Sequence, residues 1–351
     1  MAQHILEHLD RRLLAWLAEQ GEPGFRARQI RHWLFDRRAE SFDEMNELPK
    51  KLREALARDY VIWSGEVERV RQAEDGTEKL LLRLEDGERI ECVLLRDGDR
   101  RSICISTQVG CAMGCVFCAS GLDGVKRNLR RGEILEQMLR LQQRLPPRER
   151  ISHIVVMGMG EPLANLDNLL AALAEATSRE GLRISARRIT ISTVGLPAAI
   201  DRLAALGIPY HLAVSLHAPD NALRSRLVPV NRKIGMEAIL AAADRYFHRT
   251  GRKLTFEYVL LRGINDTPNH ARKLAALLRG RTALLNVIPY NPVAGLPYQT
   301  PDERTQRRFE YILRREGINV YFRERKGDAI DAACGQLRRI SEASHDQQGA
   351  G

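Results

Sequence analysis

No run of apolar residues in this 351-residue chain approaches the roughly 18–20 that a membrane span requires. The opening stretch MAQHILEHLDRRLLAWLAEQ is amphipathic, but it carries acidic residues throughout and offers no small-residue cleavage site. It reads as neither a secretory signal nor a transit peptide. The expectation is a cytosolic protein, in which six cysteines point to catalysis or metal binding and not to a disulfide framework. Acidic residues are the short side of the charge balance: 45 Asp and Glu face 55 Lys and Arg, which leaves +10 and a pI near 9.5. Such an excess suits a polyanionic partner, nucleic acid or an anionic membrane. An arginine-rich solvated surface accounts for it equally well, and charge alone leaves both readings open. Composition is otherwise that of a globular protein, and the length allows one large domain plus a smaller module.

Residues 1–60 read as short helices. FRARQIRHWLF (25–35) places Ile30, Trp33 and Leu34 on one face, with Arg26, Arg28 and Arg31 around the rest. A further helix is expected near 48–60, carrying Lys50, Lys51 and Arg53. Residues 61–100 alternate instead, with turn pairs at Asp75-Gly76, Asp86-Gly87 and Asp97-Gly98, the pattern of β-hairpins. From 102 a second rhythm begins. Short apolar runs at 102–107, 153–161, 188–193, 211–217, 254–261 and 284–291 alternate with helical stretches at 132–145, 166–180, 196–206, 236–250 and 268–280. The fold class expected is α/β, a partial (β/α)6 barrel with a small N-terminal helical domain and a β-hairpin extension. A doubly wound open sheet is the competing topology. Beyond the sixth unit, 303–316 reads as helix and 318–325 as strand, and the polar 341–351 tail as disordered. The expected division is therefore 1–60, 61–100, 101–340 and a tail.

Five of the six cysteines lie between positions 92 and 118; Cys334 stands apart. Cys111, Cys115 and Cys118 form C-x3-C-x2-C in CAMGCVFCAS, on the loop after the first barrel strand. Three thiolates there can hold three corners of a 4Fe–4S cube. A structural zinc site shows four ligands with paired spacing, and Cys104, inside the preceding strand, is a poor fourth. Zinc, or a set of buried core cysteines, remains the alternative. Other strand ends carry chemistry that converges on the same rim. Gly158 and Gly160 in GMGEP let backbone approach a ligand, and Glu161 offers a carboxylate to an ammonium group. Ser192 ends the third strand, Ser215, Leu216 and His217 end the fourth, and Asn291 follows the sixth, able to meet an adenine edge. Taken singly, a strand-end Ser is more often a helix cap and a His a core hydrogen-bonder.

The cysteine run on a loop of a six-unit barrel resembles the radical S-adenosylmethionine (SAM) superfamily. That likeness implies a fourth iron left open for the amino and carboxylate groups of SAM. The longer motifs CISTQVGCAMGCVFCASGLDGVKRNL, GMGEPLANLDNL, ITISTVGL, LAVSLHAP, FEYVLLRGIND, IPYNP and GDAIDAACGQLR resemble, in order, the RlmN/Cfr family of RNA adenosine methyltransferases. FRARQIRHWLF with SFDEMNELPKKLRE extends the likeness to nearly the whole chain. It implies a 4Fe–4S cluster on Cys111, Cys115 and Cys118, and a SAM site at Gly160, Glu161, Ser192, Ser215, Leu216, His217 and Asn291.

The resemblance also gives roles to residues outside the cluster. Cys334 would be methylated by one SAM, and a second SAM would yield the radical that removes hydrogen from that S-methyl group. The carbon radical would add to the adenine, Glu91 would take the ring proton, and Cys104 would release the product through a transient Cys104–Cys334 disulfide. The partners implied are 23S rRNA, tRNA and an electron donor such as flavodoxin or ferredoxin, for a monomeric enzyme. Basic residues of 1–60 with Lys126, Arg127, Arg130 and Arg131 would meet phosphates. Without the likeness, Glu91 on an alternating strand reads as solvent-facing and Cys334 as a small filler; Cys92 reads as packing, opposite to Glu91. An RlmN-type enzyme making 2-methyladenosine leads, a Cfr-type enzyme making 8-methyladenosine follows, and a non-catalytic zinc-containing RNA-binding protein is the remote alternative.

Overall fold

The computed structural model describes residues 2–323, 330–331 and 335–337. Cys334 and the 341–351 tail lie outside the described residues. The chain opens with β1 (Gln3–His4), which pairs in parallel with β2 (Tyr60–Val61) and so closes a module around α1 (Arg11–Glu19), α2 (Arg26–His32) and α3 (Lys50–Asp59). The helices form because Leu13 and Leu17, Ile30 and Leu34, and Leu52 and Leu56 recur four residues apart and bury together. The Asp10 carboxylate caps α1 by accepting the Arg12 N–H at 2.9 Å. Arg31, expected on the solvent face, is buried instead. It donates to the Leu9 carbonyl at 2.7 Å and pairs with Glu175 and Glu180.

A meander follows: β3 (Glu66–Gln72), β4 (Glu78–Arg83), β5 (Arg89–Asp97) and β6 (Arg100–Cys104), all antiparallel neighbours. Its three turns fall at the Asp-Gly pairs, where Gly76, Gly87 and Gly98 adopt the positive φ that glycine tolerates. These strands continue the barrel sheet directly. A short ribbon, β7 (Gln108–Gly110) with β8 (Val125–Asn128), flanks the cysteine loop.

The repeating units then run α4 (Arg131–Gln143), β9 (His153–Val156), α5 (Leu166–Thr177), β10 (Ile189–Thr193), α6 (Pro197–Ala205) and β11 (His211–Ser215). After α7 (Asn221–Leu227) and α8 (Asn231–Ile234) come α9 (Met236–Thr250), β12 (Leu254–Leu260), α10 (Pro268–Leu278), β13 (Ala283–Pro289), α11 (Glu303–Arg315) and β14 (Val320–Phe322). Sheet order is β14-β13-β12-β11-β10-β9-β6-β5-β4-β3. Along the parallel part the order follows the sequence without reversal. Right-handed crossovers therefore put the helices that connect these parallel strands on one face, which makes a curled barrel and not a doubly wound sheet. Among the described residues the two edge strands do not pair, so the barrel is open. Ser102, Val155, Thr190, Ala213, Thr255 and Asn286 from successive strands line one lower cavity of about 1350 Å³, as curling requires.

Helix α4 is sandwiched between barrel and N-terminal module. Glu133, Glu136, Gln137 and Gln142 are all buried on it, and each finds a partner. Glu136 accepts from Ser64 N at 2.9 Å and Oγ at 2.8 Å, and Arg140 stacks over Trp63 at 3.9 Å. No helix among the described residues is long and apolar enough to cross a membrane. Arg131 sits at this junction, 3.2 Å from Asp10 and 2.7 Å from Glu175. Arg131→Ala should cost about 1–2 kcal/mol, because it removes a largely buried guanidinium from Glu175 and Asp10, which keep only Arg31 and Arg12 as partners. The exposed pair of Arg245 with Asp201 should cost less than about 1 kcal/mol on Arg245→Ala. Urea denaturation of both variants measures the difference.

Candidate active site

A pocket of about 920 Å³ opens at the C-terminal ends of the barrel strands. One wall is the cysteine loop, which the β7–β8 ribbon pins at its base: Cys111 N donates to Gly124 O at 2.9 Å. The approach there is so close that a Cβ on Gly110 would lie 2.0 Å from Gly124 O. The rest of the loop is held by Val116 N to Leu227 O at 3.1 Å and Ala119 N to Gly335 O at 2.8 Å. Cys111, Cys115 and Cys118 all line the pocket and their charges act on one another. Burial pushes the Cys111 thiol up to about 12 and the Cys115 thiol well above its usual range. The N–H groups of Met113 and Gly160 work the other way at Cys111, favouring its thiolate.

The opposite wall follows the other strand ends. Glu161 is buried; it accepts from Leu163 N at 3.0 Å and Val194 N at 2.9 Å. Burial raises its pKa, and the hydrogen bonds from Val194, Thr193 and Leu163 oppose that rise. Gly158, Gly160, Ser192, Ser215, His217 and Asn291 line the same space. His217 takes a left-handed backbone, φ 60°, which for a non-glycine residue marks a strained site. Its Nδ1 accepts the Val259 N–H at 3.1 Å, so its proton sits on Nε2. Burial first, and then the Arg224 charge, depress its pKa to about 3, which leaves a neutral ring. Leu216 does not line the pocket: it is wholly buried in the core, and its carbonyl accepts from Arg224.

Glu91 and Cys104 lie beside this pocket and not in its lining. The solvent-facing reading of Glu91 is overturned, since the residue is only 2% exposed and pairs with Lys79 at 2.8 Å. Its carbonyl accepts from Ser106 Oγ at 2.6 Å, and Ser106 Oγ in turn accepts from Met159 N at 2.8 Å. Val93 stands opposite Cys104 in the β5–β6 register, so Glu91, two residues from Val93, shares the sheet face of Cys104. Cys92 takes the other face, fully buried, and burial pushes its thiol well up. It is a packing residue, as expected.

Sequence and structure comparisons agree with this geometry. The Radical SAM superfamily profile matches residues 105–275 and that of the ribosomal RNA large subunit methyltransferase N-terminal domain matches 4–62. A protein of Rhodopirellula baltica, named a dual-specificity RNA methyltransferase RlmN, is 67% identical over 96% of this chain and 91% of its own. The chain belongs to the RlmN family of radical SAM RNA methyltransferases. An RlmN of Symbiobacterium thermophilum is 46% identical over 94% of this chain and 89% of its own. The crystal structure of a radical SAM methyltransferase from Sphaerobacter thermophilus superposes with TM-score 0.92 at 44% identity, covering 96% of this chain and 99% of that one.

RlmN enzymes use a 4Fe–4S cluster and SAM, and the residues present fit both. Three mutually coupled thiols share one wall, and among the described residues no three His, Cys, Asp or Glu side chains converge on a single-ion site. Thiolates that each take a different iron of a cube need no such convergence, whereas a single zinc does. Cys111, Cys115 and Cys118 would hold the cluster and Glu161 the SAM ammonium. When bound, the pair supplies a radical able to abstract hydrogen.

Three further residues of the site carried no sequence signal. Gln108 Oε1 accepts from Glu161 N at 2.8 Å, Lys79 pairs with Glu91 across the hairpin, and Glu257 lines both the pocket and the lower cavity. Their pairing partners are distant in sequence, so no spacing reveals them.

Gly160 (φ +101°) approaches Gln108 so closely that a Cβ would lie 2.6 Å from Gln108 Cβ. Gly160→Ala should therefore weaken SAM binding at least about tenfold; an unchanged Kd in anaerobic calorimetry would contradict this account of the loop. Burial raises the Glu257 pKa from 4.5 to about 7, against the Arg323 charge and an Asn286 hydrogen bond. The folded protein then binds a proton that the unfolded chain has lost. Relative to Glu257→Gln, wild-type stability should fall by roughly 3 kcal/mol as pH rises from about 4.5 to about 7, and run parallel outside that window. Denaturant melts of the two proteins across pH test this.

Proposed function

We propose that this enzyme methylates C2 of adenosine in the peptidyl-transferase region of 23S rRNA and beside the tRNA anticodon, in the cytoplasm, with reducing electrons from a flavodoxin- or ferredoxin-type donor. The observation that carries the reading is 67% identity, over nearly the full chain, with a protein named a dual-specificity RNA methyltransferase. In this reading Cys334 carries the methyl group, Glu91 takes the ring proton, and Cys104 attacks Cys334 to form a disulfide as the carbon–sulfur bond to the product breaks. The structure supports the roles by placement. Glu91 is tied through Ser106 and Met159 to the loop bearing Glu161, and Cys104 faces the same side of the sheet. Gly335, the neighbour of Cys334, lines the pocket. An exchange of this kind needs the attacking and attacked sulfurs to meet.

Residues 1–60 form the RNA-binding module in this reading. The basic run after the cysteine loop contributes less than its sequence suggests. Arg127 pairs with Asp86 and Glu133, Arg130 with Glu85 and Glu133, and Arg131 with Asp10 and Glu175. Lys126 is the member of that run exposed on β8 without a pair among the described residues.

Nucleoside mass spectrometry after anaerobic reaction with 23S rRNA and tRNA fragments tests the proposal. The expected product is 2-methyladenosine from both RNAs; 8-methyladenosine, or a colourless protein loaded with zinc, overturns it. In the same reactions Cys104→Ala should accumulate a covalent protein–RNA adduct on denaturing gels, and Cys334→Ala should give neither product nor adduct.

A further inference from the structure

Arg224, on α7, is 0% exposed, and nothing in the roles above uses it. Its guanidinium donates to four neutral acceptors: Leu216 O at 3.1 Å, Asn231 Oδ1 at 2.6 Å, Val194 O at 2.6 Å and Ser215 O at 2.8 Å. No carboxylate lies within ion-pair distance of it among the described residues. Glu161 comes nearest in connectivity, through the backbone of Val194, whose N–H donates to the carboxylate while its carbonyl accepts from Arg224. The anion-forming group whose charge acts on Arg224 is Cys115. An arginine stays protonated in a protein interior, and an ion buried without a counter-charge costs several kcal/mol even after relaxation. Carbonyl dipoles offset only part of that cost.

The same helix walls the cysteine loop. Val116 N donates to Leu227 O at 3.1 Å, Pro229 packs over Gly114, and Phe117, Leu223, Leu227 and Val228 form one apolar cluster against which Cys115 and Cys118 pack. Arg224 is fully buried and the thiols are bordered by this apolar cluster, so the charge acts through a medium of lower dielectric than water. Three thiolates outweigh the charge of an oxidised 4Fe–4S core, so the assembled centre is an anion. One-electron reduction adds a further negative charge.

We propose that Arg224 is the buried counter-cation of the iron–sulfur centre, a positioning residue whose fixed charge stabilises the reduced state and raises its reduction potential. Net charge around a cluster is one of the levers that set its potential. The proposal rests on the three-cysteine cluster assignment. It goes beyond that assignment by giving the fold a reason to keep an unpaired cation on α7.

The test is a redox titration of the anaerobically reconstituted full-length protein, with dithionite as reductant, mediators to set the potential, and electron paramagnetic resonance as readout. Arg224→Lys keeps the charge and loses most of the hydrogen bonds; Arg224→Gln loses the charge and keeps at most two donors. Asn231→Asp leaves Arg224 in place and sets a carboxylate against its guanidinium, cancelling its field. At fixed potential, the ratio of reduced to oxidised centre should stay near wild type in Arg224→Lys. It should fall at least tenfold in Arg224→Gln and Asn231→Asp, a shift of about 59 mV for a one-electron couple. A wild-type ratio in Asn231→Asp, or a fall in Arg224→Lys as large as in Arg224→Gln, makes Arg224 a brace for the strand ends and overturns the proposal. Where Arg224→Gln takes up no iron, Asn231→Asp decides. A wild-type protein that takes up no iron at all would remove the cluster assignment itself, a separate result.

Discussion

The mouth of the barrel depends on how the loop after its first strand is held against the loop after its second. Met159 O accepts from both Thr107 N, at 2.8 Å, and Gln108 N, at 3.2 Å, while Gly158 N donates to Ile105 O at 3.0 Å. Two side chains complete the seam: Ser106 Oγ bridges Met159 N to Glu91 O, and Gln108 Oε1 receives Glu161 N. One set of hydrogen bonds thus fixes three things together, namely the cysteine loop that departs from Gly110, the Glu161 carboxylate, and the Glu91 strand. The seam is possible only without side chains at positions 158 and 160 of its second loop. A Cβ on Gly158 would sit 2.6 Å from Ile105 O, and one on Gly160 would sit 2.8 Å from Gln108 N. Backbone closeness, more than any single side chain, is what brings the parts of the site into register.

Around that seam the protein buries ionisable groups that an ordinary core would exclude. Glu161, Glu257, Arg224 and the Lys79–Glu91 pair all lie inside. Each is stabilised differently: Glu161 by N–H donors, Lys79 and Glu91 by each other, Glu257 by Asn286 and by holding its proton, and Arg224 by carbonyls. Buried polar groups of this kind are a cost to folding unless something is bound to them. A zwitterionic cofactor and an anionic metal centre are complementary to this set. A carboxylate faces where an ammonium would bind, and a cation stands behind the thiols. The interior charge pattern is therefore complementary to such a pair of groups.

The alternation of apolar runs and helical stretches made the barrel legible, because parallel strands buried on both faces must be apolar and must end where the chain turns to polar loops. The Asp-Gly pairs likewise marked every hairpin turn. What could not be read was anything decided by distant partners. α4 carries Glu133, Glu136, Gln137 and Gln142 and so looks half-exposed, yet a second module covers it. Arg31 looks like a surface cation until Glu175, far along the chain, is placed beside it. Gly160, Glu161, Ser192, Ser215, His217 and Asn291, which line the pocket, were legible from their positions at strand ends and from family resemblance. Glu257 and Arg224 were not, since an acid in an apolar strand and an arginine on a short helix give no sign of burial. Leu216 sits between two pocket-facing residues of one motif but turns into the core, as alternation along a strand requires.

The fate of the basic residues shows why net charge located a partner poorly. Arg127, Arg130 and Arg131 form a compact cationic run in sequence, yet their guanidinium groups clasp the β4–β5 turn, the first turn of α4 and the N-terminal module. Together with Glu136 bridging to Ser64 and Arg140 over Trp63, these contacts clamp α4 from both sides. The clamp leaves the N-terminal module little freedom to swing against the barrel, because moving it breaks several buried polar contacts at once. In the proposed reading, an RNA gripped by that module would be held at a set distance from the pocket, and the target base would cover the remaining gap by leaving its stack. A rigid module and a splayed base form a consistent pair: the protein supplies fixed geometry, and the flexible partner supplies the motion.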